Sequence, residues 1–310
     1  MKRLTASEIR GNWATLLLPI NADESIDDDR LSREIDFLIA CRPNGIYTNG
    51  TACEFYTQTE DEFDRVNTLV AQRCESASCP FQIGASHPSP QMMLSRVRRA
   101  AALGAGAIQV ILPDWVTVSD DEAIAFLART AEAAEGIGLV LYNPPHAKRV
   151  LPPPTIEKLR RAVPALIGLK VADGNVSWYA QMRDHAAGLS VFVPGHHIAT
   201  GVLQGASGSY SNVACLHPAG AQAWWELTQT DLLAALDIEQ RITAFFAQHI
   251  HPLIIEQAYC NTACDKLLAA IGGWADIGTR LRWPYRCIPQ EEADRLRPIA
   301  REMIPELFPD

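Results

Sequence analysis

Short apolar runs alternate along the chain with longer stretches of helical periodicity, recurring about every 25 to 30 residues, as repeated βα units on a parallel sheet do. The runs are Ala14–Leu18, Gly45–Thr48, Phe81–Gly84, Ala107–Ile111, Leu139–Tyr142, Leu166–Val171 and Ser190–Val193, with a weaker eighth at Gly205–Tyr210. Eight candidate strands predict a closed (β/α)8 barrel rather than an open sheet.

Helix starts between the runs carry capping chemistry. Thr59-Glu60-Asp61-Glu62 and Ser119-Asp120-Asp121-Glu122 both fit the capping-box pattern, and Pro154-Thr155 suits a first helical turn. After about Pro218 the pattern becomes helix upon helix, through Trp224–Leu227, Leu232–Ala247, Thr262–Ile271 and Glu291–Ile304. The expected organisation is a barrel over 1–230 and a C-terminal helical appendage over 231–310.

Composition narrows the function classes. With 48% hydrophobic and 20% charged residues, the 310-residue chain can bury a large core. A net charge of −9 argues against a nucleic-acid or anionic-membrane surface and favours a small-molecule partner. Nothing at the N-terminus reads as an apolar signal, and no apolar run is long enough to span a bilayer, so a cytoplasmic location is expected. The eight cysteines are accordingly read as free thiols. The spacings Cys74/Cys79 and Cys260/Cys264 lack the partners of a zinc site, and neither a metal nor a cofactor is expected.

In a parallel barrel the C-terminal strand ends converge on one mouth, so polar residues there are read first. Lys170 interrupts an apolar strand between Leu169 and Val171, in a chain with five lysines against 22 arginines. Desolvation there lowers an amine's pKa and leaves it free to attack a carbonyl. A lysine that snorkels outward or pairs with Asp173 is the plainer alternative. Tyr142 ends another strand and could relay a proton, or be an ordinary half-buried tyrosine. Asn49-Gly50-Thr51-Ala52-Cys53-Glu54 offers small residues and backbone amides suited to a carboxylate, or is a plain βα loop.

Together, in order, these segments resemble the dihydrodipicolinate synthase / N-acetylneuraminate lyase family. Its G-[TS]-[TS]-G-E motif is matched by Gly50-Thr51-Ala52-Cys53-Glu54, its Y-N-x-P by Tyr142–Pro145, its G-[IL]-K-x-[AS]-x-G-[DN] by Gly168–Asn175, and its G-[AG]-x-G-x-[IV]-S by Gly205–Ser211. The resemblance implies a class I lyase in which Lys170 forms an imine with pyruvate or a 2-keto-3-deoxy acid. Tyr142 would shuttle a proton, and Thr51 with the Thr51 and Ala52 amides would hold the carboxylate. Gly50, Gly195, His196, His197 and Tyr210 would complete the substrate pocket, and the assembly would be a dimer or tetramer.

Departures narrow that expectation. Where the synthase has P-Y-Y the chain reads Pro113-Asp114-Trp115, and an indole cannot relay a proton as a phenol does. Ala147 stands where the synthase has its substrate-binding arginine. Both losses argue against dihydrodipicolinate synthesis. Trp115 would instead suit a flat apolar substrate, as in hydratase-aldolases acting on aromatic ylidene-pyruvates. His196 and His197 replace the acidic residues of sialate lyases and could bind hydroxyls, a proton or, when charged, a second carboxylate. Ala52, Cys53 and Trp115 also motivate a catalytically silent 2-oxo acid-binding barrel. A metal-dependent class II aldolase using His196 and His197 is disfavoured, because no carboxylate stands at ligand spacing beside them.

Overall fold

The computed structural model describes residues 1–309. Eight parallel strands close into a barrel in sequence order: β1 (Gly11–Thr15), β2 (Gly45–Thr48), β3 (Phe81–Gly84), β4 (Ala107–Ile111), β5 (Gly138–Asn143), β6 (Leu166–Val171), β7 (Ser190–Pro194) and β8 (Gly208–Ser211). Closure pairs Gly11 of β1 with Gly208 of β8, and a Cβ on Gly208 would lie 2.2 Å from the Gly11 carbonyl oxygen, so only glycine permits that approach.

The strand positions agree with the apolar runs except at the ends of the barrel. β1 lies three residues earlier than the run Ala14–Leu18, because Leu16, Leu17 and Leu18 are buried beyond the strand as the chain leaves it. β8 starts later than Gly205, whose φ of +96° is incompatible with a strand.

Helices α1 (Asp28–Ala40), α2 (Glu60–Ser76), α3 (Pro90–Ala102), α4 (Asp120–Ala133), α5 (Pro153–Ala162), α6 (Val176–His185) and α7 (Ile198–Leu203) follow the first seven strands. A short α8 (Val213–Leu216) and α9 (Pro218–Thr230) follow β8. Both capping boxes are formed: the Thr59 and Ser119 hydroxyls accept from the Glu62 and Glu122 amides, whose carboxylates accept from the cap amides in return.

The remaining helices are α10 (Leu232–Phe245), α11 (His251–Ile255), α12 (Asn261–Gly272) and α13 (Gln290–Met303). They lie against the barrel rather than apart from it. The hydroxyl of Thr262, in α12, donates to the Thr51 carbonyl at 3.0 Å and lies 2.9 Å from the Tyr56 hydroxyl. Lys266 of α12 and Glu54 of the β2–α2 loop form a fully buried ion pair at 2.5 Å. The Trp274 indole donates to the Cys215 carbonyl at 2.8 Å. Among the described residues no helix is long and apolar enough to cross a membrane.

Candidate functional site

At the C-terminal end of the barrel lies a cavity of about 310 Å³, walled on one side by strand ends and on the other by α11 and α12. Lys170 enters it from β6, in register with Tyr142 of β5 and Phe192 of β7. Its ammonium nitrogen lies 4.3 Å from the ring centre of Tyr142, 5.0 Å from that of Tyr47 and 5.5 Å from that of Tyr210. Burial among these rings lowers the amine to about 8, and the charges of Asp265 and Cys215 only partly oppose the shift. Close to neutrality, therefore, a useful fraction of Lys170 is a free nucleophile.

The rings sit as they do because smaller residues yield to them. A Cβ on Gly50 would come within 2.7 Å of the Tyr47 ring and 3.7 Å of the Lys170 nitrogen. Tyr210 is fixed from below by a 2.6 Å hydrogen bond from its hydroxyl to Gln82 Oε1. Burial raises the phenols of Tyr47, Tyr142 and Tyr210, so each keeps its proton at neutral pH; beside Tyr142, Thr51 works against the rise.

The loop after β2 brings Thr51 and Ala52 to the cavity wall. Asn49 and Glu54 have φ of +52° and +49°, a conformation that non-glycine residues adopt only when their surroundings enforce it. Here the enforcement is visible. Asn49 Nδ2 donates to Asn67 at 3.1 Å and its Oδ1 accepts from Gln58 at 3.0 Å, while Glu54 is tied to Lys266. The amides of Cys53 and Glu54 donate back to Gly50 and Thr51, whereas those of Thr51 and Ala52 have no protein acceptor among the described residues. Two unengaged amides beside a hydroxyl are a small anion-binding surface.

On the far side of the cavity, His196 stacks on Phe246 at 5.1 Å and its Nδ1 accepts from Asn212 at 2.8 Å, which leaves its proton on Nε2. Burial drives this imidazole down to about 3, so it is a neutral donor, and the idea of a charged His196 gripping a second carboxylate does not fit its surroundings. Gly195 packs at the top of β7 against Ser211 and Asn212.

Four expected pocket residues are not among those lining the cavity: Gly50 and Gly195, placed above, and His197 and Trp115. His197 does not line the cavity; its Nδ1 faces Asp173 at 3.8 Å. Trp115 is 84% exposed on the β4–α4 loop, with the Lys148 amine 4.7 Å from its ring centre, because the loop turns outward after Pro113. A second cavity of about 90 Å³ opens beneath that loop, shares Thr51 and Tyr142 with the first and is bordered by His146 and Arg149.

Several cavity residues escaped the sequence reading: Tyr47, Cys215, His251, Asn261 and Asp265. Tyr47 is the penultimate residue of β2, as Tyr142 is of β5, and offered a comparable signal. The last three stand on or beside C-terminal helices, where neither period nor motif says which face meets the barrel mouth.

Comparison with known proteins agrees with this architecture. Residues 8–302 match the family model described as "Dihydrodipicolinate synthetase family". A 4-hydroxy-tetrahydrodipicolinate synthase of Thermomicrobium roseum is 30% identical over 175 residues, 56% of this chain and 57% of that one. An N-acetylneuraminate lyase of Enterobacter sp. is 25% identical over 207 residues, 66% of this chain and 68% of that one. The chain spans 57 to 59% of the length of the first curated relatives it matches. In fold it resembles a prophage protein of the dihydrodipicolinic acid synthase family from E. coli K12, solved with pyruvate, with a TM-score of 0.83 at 18% identity over 95% of this chain and 98% of that one. With a family model matching nearly end to end over a barrel of the same build, the chain belongs to the dihydrodipicolinate synthetase family.

Proposed function

We propose that this protein is a class I lyase, an aldolase or dehydratase, that binds pyruvate or a 2-keto-3-deoxy acid as a Schiff base on Lys170. The observation that carries the reading is the amine itself: Lys170 projects into a cavity, ringed by three aromatic faces, and is lowered to about 8 by burial.

In this reading the neutral Lys170 nitrogen attacks C2 of the 2-oxo acid, and the carbinolamine loses water to give an iminium. Tyr142, protonated and adjacent, donates to the departing hydroxyl. Thr51 and the unengaged amides of Thr51 and Ala52 hold the carboxylate. The iminium withdraws electrons from C3, which supports cleavage of the C3–C4 bond or expulsion of a substituent from C4 after C3 is deprotonated. The distal half of the substrate would meet His196, Asn212, His251 and Asn261, all able to bond hydroxyls. That wall suits a polyhydroxylated acid better than the flat aromatic one that Trp115 suggested, since Trp115 lies outside the cavity.

Borohydride added with pyruvate is expected to leave a reduced adduct on Lys170, located by peptide mass spectrometry. An unmodified protein after trapping with a panel of 2-oxo acids would overturn the reading. The family resemblance also motivates a homo-oligomer, dimer or tetramer, in which exposed Trp115 and Val116 beside the smaller cavity would contact a second copy.

A further inference from the structure

Imine chemistry at C3 needs a base, and most polar groups around Lys170 are poor ones. The phenols of Tyr47 and Tyr210 are raised by burial and keep their protons, and Tyr142 is engaged in the loss of the carbinolamine hydroxyl. His196 is neutral, and its Nδ1 is occupied by Asn212. The residues lining the cavity include one carboxylate, Asp265 of α12.

The placement of Asp265 is specific. The residue before it, Cys264, also borders the cavity, while the residue after it, Lys266, points away into its buried pair with Glu54. That pair, with the Thr262 hydrogen bonds to Thr51 and Tyr56, fixes the rotation of α12 and so the direction of Asp265. Among the described residues neither carboxylate oxygen of Asp265 has a hydrogen-bond donor, and no ion pair within 4.0 Å joins it to Lys170. A carboxylate serving only as counterion is normally held in contact by its cation. Here Lys170 and Asp265 instead line the same cavity of about 310 Å³ without such a contact.

We propose that Asp265 is the base that removes the C3 proton from a 2-oxo acid bound as an iminium on Lys170; this rests on the Schiff-base reading above. The C3–H bond breaks, its proton passes to the Asp265 carboxylate, its electron pair becomes the C2–C3 double bond, and the C=N π pair moves onto nitrogen to give a neutral enamine. No redox partner is involved. Protonation of C3 in the opposite direction uses the same carboxyl group as acid. Burial raises Asp265 to about 7, with Lys170 opposing, which suits a group that must both take and return a proton. Its other titratable neighbours are Tyr47 of β2, Tyr142 of β5, Cys215 of α8, His251 of α11 and Cys264 of α12.

The test uses pyruvate as probe. Loss of its methyl proton signal in D2O reports C3 deprotonation, and borohydride trapping reports the imine independently. Asp265→Asn is expected to trap pyruvate on Lys170 while exchanging the methyl protons at least about 100-fold more slowly than wild type, and formate is expected to restore exchange to Asp265→Ala. At saturating pyruvate, wild-type exchange should rise with a single group between about pH 6 and pH 8, a limb that Asp265→Asn lacks. Wild-type exchange that is absent despite trapping, or flat over that range, overturns the proposal, as does Asp265→Asn exchanging at the wild-type rate. An Asp265→Asn protein of unchanged circular dichroism that fails to trap also overturns it, because Asp265 would then act in imine formation. A mere counterion would shift the pH dependence of trapping and leave exchange intact. If the wild type forms no adduct, the Schiff-base reading itself fails.

Discussion

The Lys170 amine works against two physical pressures, since aromatic faces favour its charged form while burial disfavours it, and burial prevails. The sign for chemistry follows directly. Below about pH 8 the amine is mostly protonated and non-nucleophilic, and above it mostly free, so the initial rate of pyruvate trapping is expected to climb from pH 6.5 to 9. A rate that declines over that interval would contradict a nucleophilic Lys170. Tyr142→Phe keeps the ring that helps desolvate the amine but loses the proton, so trapping is expected to slow about 100-fold or more while the adduct still forms on Lys170; stopped trapping kinetics at pH 8 measure it. At this scale Lys170, Tyr142 and Thr51 were legible because each belongs to an ordered motif. Asp265 was not, because a lone aspartate in an amphipathic helix looks like any solvated charge until the helix has been packed.

Among the elements, α12 bears most on the site. Its fully buried Lys266–Glu54 pair links the C-terminal helices to the loop that presents Thr51 and Ala52. Removing one partner leaves a buried charge uncompensated, so Lys266→Met is expected to cost about 3–5 kcal/mol, read by urea unfolding. The double variant Lys266→Met/Glu54→Leu should recover much of that loss, and a double variant as unstable as the single one would show that the pair does not act as a unit. By contrast Thr59→Ala removes only a helix cap and is expected to cost about 1 kcal/mol. Both capping boxes could be read from local sequence because a cap is a local device. The Glu54–Lys266 pairing spans 212 positions, and no local pattern announces it.

For the molecule as a whole, the exposed apolar pair Trp115 and Val116 stands beside the smaller cavity, and assembly is the proposed reason for it. Sedimentation is expected to give the mass of two or four chains, and Trp115→Glu/Val116→Glu to shift the protein toward one chain. A wild-type monomer would remove that reading of the loop.

The amino-acid sequence by itself determined the barrel, since hydrophobic period, strand spacing and capping are local properties that repeat along the chain. It also marked three motif residues, Lys170 and Tyr142 near strand ends and Thr51 in the loop after β2. What only the tertiary structure decided was the company they keep: the turn of α12 that presents Asp265 to the cavity, the neutral state of His196, and the outward course of the loop bearing Trp115. Each depends on how distant segments desolvate one another, and desolvation is a property of the packed chain.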